Sequence, residues 1–429
     1  MGISSALYSG VSGLNTDSTA MTVIGNNLAN TSTVGFKGSR TVFSDLLSST
    51  INGSGGISQV GRGVNLSKVD NNFSQGTFQT TDSGTDVAIE GSSFFLLKKD
   101  GDASTYYSRA GAFRFNADGY LVNPEGLKVQ GQQYAADGTL APGSPSNIQV
   151  DAAGLQPANV TTKLTLNTNL DASSKEIPAA TAFNYTDPST FNYSSSTQVY
   201  DTLGNPHLIT TYFRKADEAS GGAANTWNWY WSSTDAKNTA LGQGGNPNTS
   251  AGSITFNADG NLKTGGTGTI APGDLTWANG SATTTGIALT FNTTQFNSDS
   301  VVISQSQDGY GAGNLTGVTI DAQGAVTASY SNGVQKKTSN LVLAKFNATS
   351  GLELSGNNLF AATNESGTPR VGLPGTELGK IFTNSLEQSN VDMGGQFVEM
   401  ITVQRAFQAN SKIITTVDQL LNDVINMKQ

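Results

Sequence analysis

Helical periodicity is confined to the two ends of this chain, and that confinement limits what it can become. Over residues 3–28, Leu7, Leu14, Met21 and Leu28 recur every seventh position, with Ile3, Val11 and Ile24 on the same face. Over residues 397–427, Met400, Phe407, Ile414 and Leu421 alternate with Val403, Val417 and Val424, and Asn410 is a polar interruption. This is the spacing of an a/d seam. Such a seam is narrower than the apolar face of an ordinary globular helix, so it calls for a partner helix. The two ends are expected to pair with each other, with copies of themselves, or both.

The front helix is expected over residues 4–30 with Ser4 or Ser5 as N-cap, about 40 Å long. It is poor in isolation. Gly10, Gly13 and Gly25 each cost roughly 1 kcal/mol against alanine, and Asp17 is the only charge before Lys37. Disorder in the monomer and folding on partners are expected. At the other end, Ser389-Asn-Val-Asp392 fits a capping box with Asp392 in place of glutamate. Gly394-Gly395 weakens the first turn, and nothing breaks the helix from Gln396 to Lys428.

Between the ends the period changes to two. Residues 41–67 are weakly patterned: Phe43, Leu46 and Leu47 suggest a short helical piece, and Asn52-Gly-Ser-Gly-Gly a flexible loop. From Val69 onward, alternating runs are punctuated by Asp-Gly turns. Phe115-Asn-Ala-Asp-Gly-Tyr-Leu returns as Phe256-Asn-Ala-Asp-Gly-Asn-Leu, with echoes after Tyr134 and Ile320. Residues 148–180 form a low-complexity crossing, a second strand-rich block runs to about residue 312, and residues 236–252 and 264–286 read as loops. The order implies nesting. The fold class is mainly β with α-helical termini in a coiled coil. A terminal helical domain takes 1–68 and 376–429, a first β domain 69–147 and 313–375, and an inserted outer β domain 148–312.

Composition excludes several functions. The 429 residues contain no cysteine and one histidine, which removes disulfides, thiol nucleophiles and Cys/His zinc sites. A net charge of −9 with only 13% charged residues does not suit a nucleic-acid partner. No apolar run approaches the ~18 residues that span a membrane, so no membrane insertion is expected. The opening residues have no basic region followed by an apolar one, so export by a route other than a cleaved signal peptide is expected.

No catalytic, cofactor or metal constellation is legible. His207 reads as a surface or strand-edge residue, and no Gly-x-Ser-x-Gly elbow accompanies it. The Asp-Gly turns lack a calcium-loop ligand series. Trp227, Trp229 and Trp231 share one strand face. Packing against a second sheet is the expectation, and a sugar-binding platform the alternative.

Two long stretches carry a resemblance. Leu7-Tyr-Ser-Gly-Val-Ser-Gly-Leu14, followed by Asn26-Asn-Leu-Ala-Asn-Thr-Ser-Thr-Val-Gly-Phe-Lys37, resembles the N-terminal signature of bacterial flagellar rod and hook proteins. Met400-Ile-Thr-Val-Gln-Arg-Ala-Phe-Gln-Ala-Asn-Ser-Lys412 resembles the matching C-terminal signature. The motif residues are Asn26, Asn27, Asn30, Gly35, Phe36, Gln404, Arg405 and Asn410. Asp86-Val-Ala-Ile-Glu-Gly-Ser-Ser-Phe-Phe and Tyr107-Ser-Arg-Ala-Gly-Ala-Phe resemble the shared β domain. Tyr200-Asp-Thr-Leu-Gly-Asn-Pro-His and the inserted block favour the hook branch over the distal rod. The resemblance implies a non-enzymatic subunit of a flexible extracellular tube that transmits torque. Its implied partners are copies of itself, the distal rod, the hook cap, the hook–filament junction proteins and the flagellar type III export apparatus. A distal rod subunit and a secreted glycan-binding protein are the alternatives.

Overall fold

The computed structural model describes every residue except 1–2, 54–55, 103, 136, 152–153, 234, 237–249, 273, 283–285 and 428–429. Most of the expected loop at 236–252, and Lys428, therefore lie outside the described residues. The fold is mainly β with one long helix at each end: α1, Ile3–Ala29, and α2, Met393–Asn426. It divides into two compact units. The first holds residues 1–152, 317–328 and 335–429, and the second 153–316 and 329–334.

In the first unit α1 and α2 pack together, and α1 also packs on a hairpin formed by β1 (Ser39–Asp45) and β4 (Val64–Asn71). β1 and β4 pair antiparallel from Ser39↔Asn71 to Asp45↔Val64, with a bulge at Val42/Phe43. A smaller hairpin, β2 (Ser49–Gly53) and β3 (Gly56–Val60), extends from between them. The short helix expected at Phe43, Leu46 and Leu47 is absent. Thr41-Val42-Phe43 is β-branched and aromatic, and pairing with β4 settles it as strand. Asn52 and Gly53, expected in a loop, likewise end β2. Helix α1 is already running at Ile3, so Ser4 and Ser5 lie inside it rather than capping it.

The body of this unit is built from both flanks of the chain. β5 (Phe78–Thr80) pairs with Ser385–Glu387, and β6 (Val87–Glu90) with Lys380–Thr383. β7 (Phe94–Lys98) pairs with β8 (Thr105–Ser108), Lys128–Gln133 and Leu343–Lys345. Its core joins Phe94, Leu96 and Tyr107 to Val342, Phe346 and Phe360.

Among the described residues the second unit has two five-stranded sheets. Lys163–Asp171 lies between parallel Ile287–Phe291 and antiparallel Val301–Gln307. Tyr193–Tyr200, Pro206–Lys215, Thr226–Ser232 and Gly252–Phe256 form an antiparallel meander. Thr267–Ile270, read as loop from its glycines and threonines, is a strand paired with Ile287–Phe291. One core takes residues from both sheets and buries Trp227, Trp229 and Trp231. No sugar platform is exposed there.

The recurring turn is one device used four times. Gly119, Gly138, Gly260 and Gly324 all adopt left-handed φ, between +78° and +82°. In two of the four the residue that opens the turn anchors it with its side chain: Asn116 Oδ1 accepts from Tyr120 N at 2.8 Å, and Asp321 Oδ1 from Ala325 N at 2.8 Å.

Candidate functional site

Helices α1 and α2 run antiparallel. Gly10 lies against Ile414 and Gly13 against Asn410, while Asn27, near the other end of α1, donates to Gln396 Oε1 at 2.9 Å. The buried line of α1 is Gly10, Gly13, Thr16, Ala20, Ile24 and Asn27. The expected seam of Leu7, Leu14, Met21 and Leu28 is only half-buried and runs beside that line. Close approach explains the difference. A Cβ on Gly13 would sit 2.5 Å from Asn410 Nδ2, and one on Gly10 3.2 Å from Ile414 Cγ1. Helix axes come this near only where side chains are smallest. A hydrophobicity pattern selects the largest residues and so points one step around the helix.

On α2 the covered positions are Gln396, Met400, Val403, Ala406, Asn410 and Ile414, all half-buried, with Val417 fully buried. Phe407 and Leu421 are exposed at the edge of this face, and the side chain of Val424 lies outside the described residues. Asn410, the polar interruption, donates to Asp17 Oδ2 at 2.9 Å. Its partner was in the sequence as the lone charge of α1. A polar residue satisfied inside a helix contact fixes register.

The first turn of α2 also departs from expectation. Asp392 is itself the N-cap and accepts from the backbone N–H of Gly394 and Gly395, both at 3.1 Å. Ser389 is not the cap. Gly395 lies where a Cβ would come 3.0 Å from the Asp392 carboxylate, so the glycine pair gives the cap room.

The helix pair is tied to the β body by polar anchors. Asn27 is buried; besides its bond to Gln396 it donates to Ser39 O at 2.7 Å and accepts from Ser39 N at 2.9 Å. Asn390 donates to Asn72 O at 2.7 Å and accepts from Gly38 N at 2.8 Å. Asn30 accepts from Thr33 at 3.0 Å within the turn after α1. Gly35 has φ +69° and donates to Glu387 O at 2.7 Å, and a Cβ there would meet Ala110 N at 2.6 Å. Phe36 is half-buried, whereas Asn26, Gln404 and Arg405 are exposed.

Beside Gly35 lies a feature that the sequence did not announce. Lys37 Nζ reaches Glu387 Oε1 at 2.6 Å and Arg109 Nη1 reaches Glu387 Oε2 at 3.5 Å, with all three side chains at most 1% exposed. Glu387 Oε1 also accepts from Gly76 N at 2.9 Å, and Lys37 donates to Ser74 O at 2.8 Å. Burial lowers the pKa of Lys37, against the charge and hydrogen bond of Glu387, which raise it. Lys37 and Arg109 fall inside the quoted motifs, but no local pattern joins them to a glutamate 350 and 278 positions further along the chain.

In the second unit, His207 is neither on the surface nor bare. Its ring stacks on Trp277 at 3.7 Å and its Nε2 lies 3.2 Å from Asp201 Oδ2. Burial would raise the pKa of Asp201, but hydrogen bonds from Asn279, Asn205 and His207 outweigh it and hold the carboxylate well below its usual range. The cluster braces the Asp201–Asn205 turn, whose backbone N–H groups at Leu203 and Asn205 both donate to Asp201 Oδ1. Among the described residues no group of three or more His, Asp or Glu is placed to hold a metal. Among the described residues no helix is long and apolar enough to cross a membrane.

Comparison with known proteins assigns the segments in chain order. Residues 7–37 match the flagella basal body rod protein family, and 88–169 the D1 domain of the flagellar hook protein FlgE/F/G family. Residues 169–310 match the D2 domain of flagellar basal body protein FlaE, and 383–427 the C-terminal family of the basal body rod FlgEFG proteins. The chain is 35% identical to the flagellar hook protein FlgE of Salmonella typhimurium, over 97% of this chain and 98% of that one. It is 34% identical to that of Escherichia coli K12, over 99% and 100%, and 33% identical to that of Borreliella burgdorferi, over 99% of each. The crystal structure of Helicobacter pylori flagellar hook protein FlgE2 aligns with a TM-score of 0.50 at 16% identity, covering 72% of this chain and all of that one. At that identity the likeness concerns the fold.

Proposed function

The chain belongs to the flagellar hook protein family, and from that premise we propose how it builds and works a bendable joint. It is a structural subunit of the flagellar hook. The full-length relatives cover the inserted block as well as the ends, which favours the hook over the distal rod. In the proposed assembly, copies form a helical tube. The paired ends, residues 1–68 and 376–429, line its inner wall and export channel. Residues 69–147 with 313–375 form a middle shell, and the inserted block 148–312 faces outward. Subunits leave the cell unfolded through the flagellar type III apparatus. The distal rod, the hook cap and the hook–filament junction proteins bound the tube.

One observation carries the self-assembly reading. Pairing with α1 covers one side of α2 and leaves Phe397, Val398, Ile401, Ile413, Leu420 and Ile425 exposed. A helix apolar on more than one face is a helix meant to be buried on more than one face. Leu7, Leu14, Met21 and Leu28 flank the same pair half-covered, and with the exposed flank of α2 they are the proposed contacts between copies. The β surfaces, by contrast, are sparse in charge and wet, so they can slide as the tube bends without strong ion pairs to break. The test is electron microscopy of polymer grown from the purified full-length chain. Curved tubes are expected. Straight, stiff rods would favour a distal rod part, and a protein that stays monomeric would overturn the reading.

A further inference from the structure

Two leucines stand out on the first unit. Leu47 is 90% exposed and Leu46 is exposed beside it, in the three-residue connection between β1 and β2. They sit where the β1–β4 ladder gives way to the β2–β3 hairpin, and an apolar pair left this exposed has nothing to hold it there in a finished protein. The same unit carries a cavity of about 570 Å³ below the end of α1, with Phe36, Ala110 and Leu359 on its inner walls and Leu354 exposed at its rim. Its wall is fixed. Asn357 and Asn358 are consecutive left-handed residues with φ of 52° and 57°, and Asn358 donates to Val34 O at 2.9 Å and accepts from Ser108 Oγ at 3.0 Å. Strained backbone of this kind persists where the surroundings over-determine it.

The finger cannot fill the cavity of its own chain. Leu46 N is bonded to Gly63 O at 3.0 Å, and Val64 N to Ser12 Oγ at 3.2 Å, so the Leu46–Leu47 segment is itself moored beside Ser12, with only the leucine side chains projecting as the finger. The cavity is lined by Asn26 and Asn30, 14 to 18 positions further along the same helix. At 1.5 Å per residue that is about 20–27 Å, well beyond the reach of one leucine side chain. The exposed charges fit a cross-chain contact in one respect: Arg62 lies in the turn that moors the finger and Glu125 on the cavity rim. Asp45, on the finger's stem, finds no lysine or arginine among the cavity residues.

We propose that the Leu46–Leu47 finger of one copy docks into the cavity between α1 and the Leu354–Leu359 strand pair of a second copy. A surface that fits a different surface of an identical chain makes a head-to-tail contact, which propagates as an open helix unless it closes into a ring. The contact rests on the self-assembly reading and adds a specific lock to it, distinct from the helix pair.

The chain has no cysteine, which makes the test clean. Full-length Leu47→Cys and Leu354→Cys chains are mixed, polymerised and oxidised. Disulfide-linked pairs between the two variants are expected, and a chain carrying both substitutions should give a ladder of multimers. Leu47→Cys mixed with Leu203→Cys, exposed in the second unit, should give none. Monomers alone from polymer visible by electron microscopy would overturn the docking and leave the tube reading intact. Linked pairs that never elongate would keep the docking and overturn the tube. A second measurement avoids cross-linking. Leu47→Asp changes a side chain already in water, so monomer stability should stay constant while the critical concentration for assembly rises tenfold or more. An unchanged critical concentration would also overturn the docking.

Discussion

In the second unit Trp227, Trp229 and Trp231 are each no more than 1% exposed, whereas the paired ends leave Ile401 at 51% and Leu420 at 54% exposed. The same kind of residue meets opposite fates in one chain. The sandwich closes on itself: Trp227 donates its Nε1–H to Gln295 Oε1 at 2.9 Å, and Gly252 leaves room for the Trp229 ring, since a Cβ there would lie 2.5 Å from Trp229 Nε1. The helix pair closes on one side only. What holds it is mostly small and polar, Gly10, Gly13, Ala20, Asn27 and the Asn410–Asp17 bond, with Ile24 and Val417 buried beside them, and what it leaves outside is large and apolar. A region finished within one chain should respond to mutation through its own stability. A region finished by neighbours should respond through assembly. Four substitutions separate the two behaviours, from the largest expected effect on the single chain to the smallest.

Trp229→Ala should cost the second unit about 3–5 kcal/mol, the range for removing a large buried aromatic. The readout is denaturant unfolding followed by tryptophan fluorescence. A cost below 1 kcal/mol would mean that the sandwich core is looser than its burial indicates, and the contrast with the ends would fade. Glu387→Gln should cost the first unit about 3 kcal/mol, because it leaves two buried cations beside a neutral amide. Calorimetry should show the first unit's transition moved down and the second's unmoved. An unshifted first transition would show that the Lys37–Glu387–Arg109 cluster does not anchor the ends to the β body.

Gly13→Ala separates two readings of α1. By helix propensity alone the change should stabilise by roughly 1 kcal/mol. By the observed contact, Asn410 must move away from the new methyl group and weaken its bond to Asp17, at a cost of about 1 kcal/mol, with displacement of the helix axis added. A net loss of about 0.5–1 kcal/mol is expected, read by thermal unfolding monitored at 222 nm. A gain would mean that the close approach at Gly13 does not hold the pair together.

This glycine shows how far the sequence was legible. The helical ends, the Asp-Gly turns and the inward tryptophans follow from periodicity and turn chemistry, which are local. The contact line of α1 was missed because the reading treated glycine as a loss of helix propensity and never as room for a partner. The Lys37–Glu387 bond joins residues some 350 positions apart, and nothing local at either one announces the other. His207 reads as a surface or strand-edge residue, and it does lie at the start of the strand Pro206–Lys215, but the ring that covers it, Trp277, comes from a segment outside the strands some 70 positions on, which nothing near His207 announces. The β1–β4 hairpin was missed for a related reason. Phe43, Leu46 and Leu47 have helical spacing by chance, and only pairing with Val64–Asn71 settles the strand.

Ile401→Asp should be the gentlest change to the single chain and the most severe for the tube. The side chain is half in water on the flank of α2 away from the covered positions Met400 and Val403, so monomer stability should change by less than about 0.5 kcal/mol. In an assembled wall, that carboxylate would be carried into an apolar contact without a partner, at a cost of several kcal/mol per subunit. Repeated in every copy, the penalty should abolish assembly. Electron microscopy should show no tubes, and circular dichroism an unchanged β signal. If the variant builds tubes as readily as the wild type, the exposed face of α2 is not a contact between copies. The helix pair would then be as complete on its own as the tryptophan sandwich.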